Sequence, residues 1–182
     1  RFKGKSQNPL KFLPDYLIVT DSLTKMAYVS LGVKSERIFI CNHPQKDRIK
    51  NLKKTFEIKF SNFKNKYPRW LFISENIDLM DPSQSYISEN YLLSGRGSSK
   101  WRTAIVIEEI IDLLKKVSPT SKLEVRLHPK NTIDQFDEFK DEIILDRVID
   151  PLESVWKADF ILGMSSNLLV EAIYLGKKVL SI

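Results

Sequence analysis

A chain of 182 residues, 42% of them hydrophobic, is long enough to bury one ordinary core plus part of a neighbouring domain, which excludes a peptide and a disordered tail. No run of eighteen apolar residues appears, and no basic stretch leads into an apolar segment and a small-residue cleavage site, so neither a membrane-spanning helix nor a secretory signal is visible. The formal charge of +6 is uneven: residues 1–66 carry 15 Lys and Arg against 5 Asp and Glu, a net +10, leaving 14 against 18, a net −4, for the remainder.

From Asp15 onward the pattern reads strand, helix, strand. Tyr16 to Val19 is a short apolar run, and Thr20-Asp21-Ser22 offers side-chain oxygens to cap a helix that ends near Gly32. Arg37 to Cys41 predicts the next strand, with the lone Cys41 expected as a small buried hydrophobe. Asn42-His43-Pro44 breaks that strand, and the polar, lysine-rich residues 45–68, closed by Pro68, read as an interdomain connection. A second series opens with the strand Trp70 to Ser74. A long Ser-, Asn-, Asp- and Gly-rich segment from Glu75 to Ser99 follows, of a length that is usually functional or mobile. Over 101–116, Ile105, Ile107, Ile110, Ile111 and Leu114 recur at helical spacing. Then come a strand over 123–127 running into His128-Pro129, a short helix over 133–139, a strand over 143–145, a short helix over 152–156 and a strand over 160–162. A helix over 168–175, opened by Gly163 to Asn167 and closed by Gly176, precedes the last strand, Lys178 to Ser181.

This alternation predicts an α/β fold: a Rossmann-like parallel sheet with helices on both faces. The expected organisation is the end of a first Rossmann-like domain over 1–44, a basic linker over 45–68 and a second such domain over 69–182. Arg1 in place of a Met, and a strand that stops at Ile182, both read as cut ends.

In open parallel sheets ligands bind beyond the carboxyl ends of the strands. The residues that follow strands here are Ser74 and Glu75, then His128, Pro129 and Lys130, then Gly163, Ser165, Ser166 and Asn167. Gly163 to Asn167 lies at a strand-to-helix turn, where amides and hydroxyls can face an anion; the alternative is plain capping by Ser165 or Ser166. His128 beside a proline could face the same crevice, with Arg126 and Lys130 adding positive charge, or be structural. Glu171 lies one helical turn beyond Asn167, within reach of a ribose held at the helix start, or is an ordinary surface glutamate. Arg96 to Lys100 has only the composition of an anion-binding loop and reads as a flexible loop. Cys41, His43 and His128 have no companions at ligand spacing, so no metal site is expected, and no Gly-x-Ser-x-Gly elbow appears. The basic half can attract phospholipid or nucleic acid, or simply be a solvated helix face; without aromatic–basic interleaving on a known module, nucleic acid is not an expected partner.

Two stretches, Arg126-Leu-His-Pro-Lys130 and Ala158 through Gly163-Met-Ser-Ser-Asn167 to Gly176, resemble the donor half of GT-B glycosyltransferases. Within that group they resemble the bacterial capsule-type enzymes, including sialyl- and polysialyltransferases, that bear His-Pro and Ser-Ser motifs. Residues 15–47 look like the end of a first GT-B domain and its crossover. The resemblance implies that His128, Ser165 and Ser166 contact the donor's phosphate or nucleotide and that Glu171 takes the ribose-contacting acidic position. It implies a nucleotide-sugar as substrate, with no separate cofactor or metal. It also implies a glycan or glycolipid acceptor and work in surface polysaccharide synthesis in the cytoplasm, with the basic N-terminal half against the inner membrane surface. Glu75 departs from the acidic base motif of sialyl-type enzymes, so the catalytic base is unassigned. A UDP-sugar 2-epimerase-like enzyme, which also has a serine-rich turn before a Glu-bearing helix, and a non-catalytic nucleotide-sugar-binding module are the competing readings.

Overall fold

The computed structural model describes residues 13–41, 44–75, 92–99 and 101–182, and the chain divides into two compact units, Arg1–Arg48 and Ile49–Ile182. In the first, β1 (Leu17–Val19) pairs in parallel with β2 (Ile38–Ile40), Leu17 opposite Ile38 and Val19 opposite Ile40. Helix α1 (Ser22–Ser30) joins them, and Asp21 caps it by accepting from the Thr24 amide at 2.7 Å. That bond, with those of the Thr20 and Thr24 hydroxyls, holds the Asp21 carboxyl below its ordinary range. Val19, Val33 and Ile38 form the small core. Cys41 is exposed, not buried as its apolar context led one to expect. It lies just past β2, where its amide extends the ladder to Val19 O at 2.8 Å, and Phe39 and Ile40 before it are exposed too.

The second unit is built on five parallel strands in the order β5-β4-β3-β6-β7. They are β3 (Trp70–Ile73), β4 (Leu123–Arg126), β5 (Ile143–Leu145), β6 (Phe160–Gly163) and β7 (Lys178–Ser181). Because neighbouring residues of a strand point to opposite faces, the central β3 sends Phe72 to one side and Leu71 and Ile73 to the other. Phe72 meets Val125, Leu162 and the apolar stripe of α3 (Arg102–Val117), which buries Val106, Ile107, Ile110, Ile111 and Leu114. Leu71 and Ile73 pack with Ile161 against α2 (Pro44–Lys59), α4 (Pro151–Lys157) and α5 (Asn167–Tyr174). Both faces of the sheet centre are thus covered, which is why β3 and β6 read as continuous apolar runs.

Residues 45–68, expected as a polar linker, are helical as far as Lys59. Ile49 and Phe56 are 0% and 4% exposed in the second core, with Leu52 and Phe60 packed beside them. Residues 133–139 form a 3-10 helix rather than an α-helix. Of the long segment from Glu75 to Ser99, residues 76–91 lie outside the described residues, as do Asn42 and His43 and the basic residues 1–12.

Candidate functional site

The chain leaves β3 outward through β4 to β5 and then returns to the other side of β3 for β6 and β7. Strand order therefore reverses between β3 and β6, and at such a reversal the loops beyond the two carboxyl ends part to opposite faces and open a crevice. Ser74 and Glu75 follow β3 there, and Gly163 to Asn167 end β6 and begin α5.

The Glu75 carboxylate spans that reversal. It is buried, and Oε1 accepts from the Ser165 amide at 2.6 Å and from the Ser165 hydroxyl, while Oε2 accepts from Arg102 Nη2 at 3.2 Å. A negative charge is thus already seated just before the positive end of α5 and tied to the first residue of α3. Ser166 is the N-cap of α5, its hydroxyl accepting from the Leu168 amide at 3.3 Å. Ser166 has the local role that capping chemistry allows, whereas Ser165 spends its amide and hydroxyl on Glu75. Asn167 is exposed at the first helical position, and Glu171 is half-buried one turn along. Gly163 fits a tight space: a Cβ there would lie 3.1 Å from Leu169 Cδ2 and 3.3 Å from Ile73 O, so a larger residue would need its neighbours to give by tenths of an ångström.

The turn after β4 is stapled to the same place. Ser74, 2% exposed, accepts from the His128 amide at 3.1 Å and from Asn131 Nδ2 at 3.2 Å, and Asn131 Nδ2 also donates to Glu75 O at 2.7 Å. His128 is half-buried, with Nδ1 accepting from the Lys130 amide at 3.3 Å, which leaves Nε2 as the donor nitrogen of the neutral ring. Pro129 and Lys130 are exposed.

Arg126 adds no free charge to the crevice. Its Nη1 donates to Asp146 Oδ2 at 2.7 Å and to Val148 O at 2.8 Å. Asp146, with a side chain 1% exposed, also accepts from Ser154 Oγ at 2.5 Å and from the Val148 amide at 3.0 Å. Arg126 is a brace for the turn 146–150.

The loop around Arg96 is likewise committed. The Gly95 amide donates to Glu109 at 2.9 Å and the Arg96 amide to the buried Glu108 at 2.6 Å, while the guanidinium pairs with Asp112 and Glu142 at 2.9 and 2.7 Å. Its amides are filled by carboxylates of the same chain, and the flexible loop expected from composition is tied along α3. Gly95 has φ +56°, and a Cβ would fall on Glu108 Oε2. Among the described residues no group of three His, Cys, Asp or Glu could hold a metal ion, and no helix is long and apolar enough to cross a membrane.

The structure brings Glu75, Ser165, Arg102, Ser74, Asn131 and the His128 backbone into one bonded cluster. Of these, Arg102 and Asn131 had no signal in the sequence, because each meets its partner only across the sheet.

No protein-family model matches the chain, and no curated protein does. Solved structures do. The UDP-GlcNAc 2-epimerase from Neisseria meningitidis, bound to UDP-GlcNAc, superposes with a TM-score of 0.56 at 19% identity over 92% of this chain and 44% of its own. The fold is shared. The wall teichoic acid polymerase TagF gives 0.44 at 15% identity over 94% of this chain and 40% of its own. Anabaena HepE in complex with UDP and glucose gives 0.43 at 11% identity over 96% and 46%. The chain spans under half the length of each of these proteins.

Proposed function

We propose that this chain is the donor-binding part of a glycosyltransferase of surface polysaccharide synthesis, which moves a sugar from a nucleotide-activated donor to a glycan or glycolipid acceptor. The observation that carries the reading is the strand-order reversal, where the start of α5 and the His128 turn are both bonded to the residues that end β3. The fold shared with an enzyme bound to a nucleotide-sugar is consistent with it. In this reading the acceptor hydroxyl oxygen forms the new bond to the anomeric carbon. The bond from that carbon to the phosphate oxygen breaks, and the nucleotide leaves with the electron pair. Negative charge growing on the leaving phosphate is met by the α5 start with Ser166 and Asn167, by His128 Nε2 and by Lys130. Ser165 joins them when the phosphate displaces Glu75. Glu171 takes the ribose, and the hydroxyl proton goes to a base not assigned on this chain.

The His-Pro and Ser-Ser stretches place the reading nearest the capsule-type, sialyltransferase-like enzymes. The same reading takes residues 1–44 as the end of a first Rossmann-like domain and 69–182 as the donor domain, working in the cytoplasm with the basic N-terminal half against the inner membrane surface. The test is calorimetric titration with CMP, UDP, GDP and CDP. One nucleotide should bind selectively, and both His128→Ala and Ser166→Ala should weaken it about tenfold, the worth of one charge-assisted hydrogen bond. Affinity unchanged in both variants removes the crevice as the site.

The shared fold with a UDP-GlcNAc 2-epimerase favours a second reading, in which the same crevice binds UDP-GlcNAc for epimerisation. Conversion of UDP-GlcNAc to its 2-epimer without any acceptor would replace the first reading by this one.

A further inference from the structure

At the other end of the sheet, beyond the amino ends of β3, β6 and β7, a cavity of about 700 Å³ opens between the segment 60–68 and the starts of those strands. Its walls alternate aromatic rings with lysines. Lys66 Nζ stands 5.3 Å from the Tyr67 ring centre, Lys177 Nζ 5.2 Å from that of Trp156 and Lys178 Nζ 5.1 Å from that of Phe160. Such contacts hold an ammonium in place without neutralising it. Asp159 is the one carboxylate of the lining; its Oδ2 accepts from Asn65 Nδ2 and the Arg69 amide, both at 2.9 Å, and its charge attracts Lys177. Lys157 is answered by Glu153 at 2.6 Å. Among the described residues, Lys64, Lys66, Lys177 and Lys178 make no ion pair. Burial pushes the Lys177 ammonium below its ordinary range, helped by the Arg69 charge, and Asp159 offsets this only in part.

Lys64, Lys66, Lys177 and Lys178 around one cavity outnumber its single carboxylate, Asp159, and a multiply charged anion offsets that excess of positive charge. We propose that this cavity is a second anion site, which takes the phosphate groups of a ligand carrying two or more negative charges, seated against the aromatic walls. A cavity of this volume holds a small phosphorylated molecule or a single headgroup rather than a nucleic-acid helix. The site stands apart from the crevice and does not depend on the donor-binding reading.

The experiment is calorimetric titration of the full chain with inorganic tripolyphosphate. A second arm measures sedimentation with phosphatidylcholine vesicles, with and without phosphatidylglycerol, and with tripolyphosphate as competitor. Lys64→Ala, Lys66→Ala and Lys178→Ala are combined in one variant, because all three residues are exposed and their loss leaves both cores untouched. Saturable tripolyphosphate binding is expected, with a component that the triple variant weakens at least tenfold and that persists in the double variant Ser166→Ala, His128→Ala. Vesicle binding that needs phosphatidylglycerol and yields to tripolyphosphate supports the site with a lipid headgroup as its source of phosphate; tripolyphosphate binding without vesicle binding supports it with a soluble one. No saturable binding, no component weakened in the triple variant, or loss of that component in the double variant instead overturns the proposal.

Discussion

Replacing Glu75 with Gln keeps the shape of the side chain and removes its charge from the strand-order reversal. The carboxylate, 9% exposed, accepts two hydrogen bonds from Ser165 and one from Arg102. Bonds to a charged group are worth about 1.5–3 kcal/mol each. Ser165 is exposed and Arg102 partly so, and water recovers part of that sum. A net loss of about 2 kcal/mol is therefore expected. With a urea dependence of about 2 kcal/mol per molar for a unit of this size, the midpoint falls by about 1 M. Trp70, Trp101 and Trp156 all lie in the second unit, so tryptophan fluorescence follows its unfolding and not that of the first. Nucleotide affinity should move the other way. Glu75 holds the donors that a phosphate would use and repels its charge, so Glu75→Gln should bind the nucleotide tighter by about tenfold, or 1.4 kcal/mol. An unchanged midpoint would refute the bonding argument, and a tenfold weaker nucleotide would show that Glu75 helps hold the ligand rather than competing with it.

Asp146→Ala removes the buried partner of Arg126 and leaves a largely buried guanidinium without its carboxylate, so a loss of about 3–5 kcal/mol is expected in the same urea experiment; a loss below about 1 kcal/mol would mean the turn 146–150 is held by something else. Acid should loosen the Arg96 loop. Arg96 and then Lys115 hold the Glu142 carboxyl down to about 2 from an ordinary 4.5, so the stability it contributes is present above pH 4.5 and is lost as pH falls towards 2. Solvent reaches these side chains, and the effect is expected to stay under about 1 kcal/mol. Over that window the wild type should lose more stability than Arg96→Ala, and parallel pH curves for the two proteins would refute the assignment.

Strands were legible where they are buried on both faces. Leu71, Phe72 and Ile73, or Ile161 and Leu162, stand in unbroken apolar runs because helices cover both sides of the sheet. The α2 helix was harder to see, since its long polar face hides a stripe at Ile49, Leu52, Phe56 and Phe60, spaced three, four and four residues apart. That stripe was the available signal that 45–68 is more than a connection. The site was legible in position but not in bonding. Residues after β3, β4 and β6 do meet at the strand-order reversal, yet nothing local distinguishes a Ser165 that awaits a phosphate from one already bonded to Glu75, 90 residues away in sequence. Arg126 shows the same limit, since its partner Asp146 lies on the next strand's exit and no spacing rule links the two. Cys41 sat in an apolar run whose last residues are exposed.

Gly163 works as a spacer of zero thickness between the strand and the helix that begins the crevice. With Leu169 Cδ2 3.1 Å and Ile73 O 3.3 Å from where a methyl would stand, a larger residue needs Leu169, in the first turn of α5, or the end of β3 to give by tenths of an ångström. The spacing between the end of β3 and the start of α5 is therefore set in part from behind, at a position with no polar side chain. Pro129 and Lys130, in the turn after β4, are exposed and meet no such limit of space.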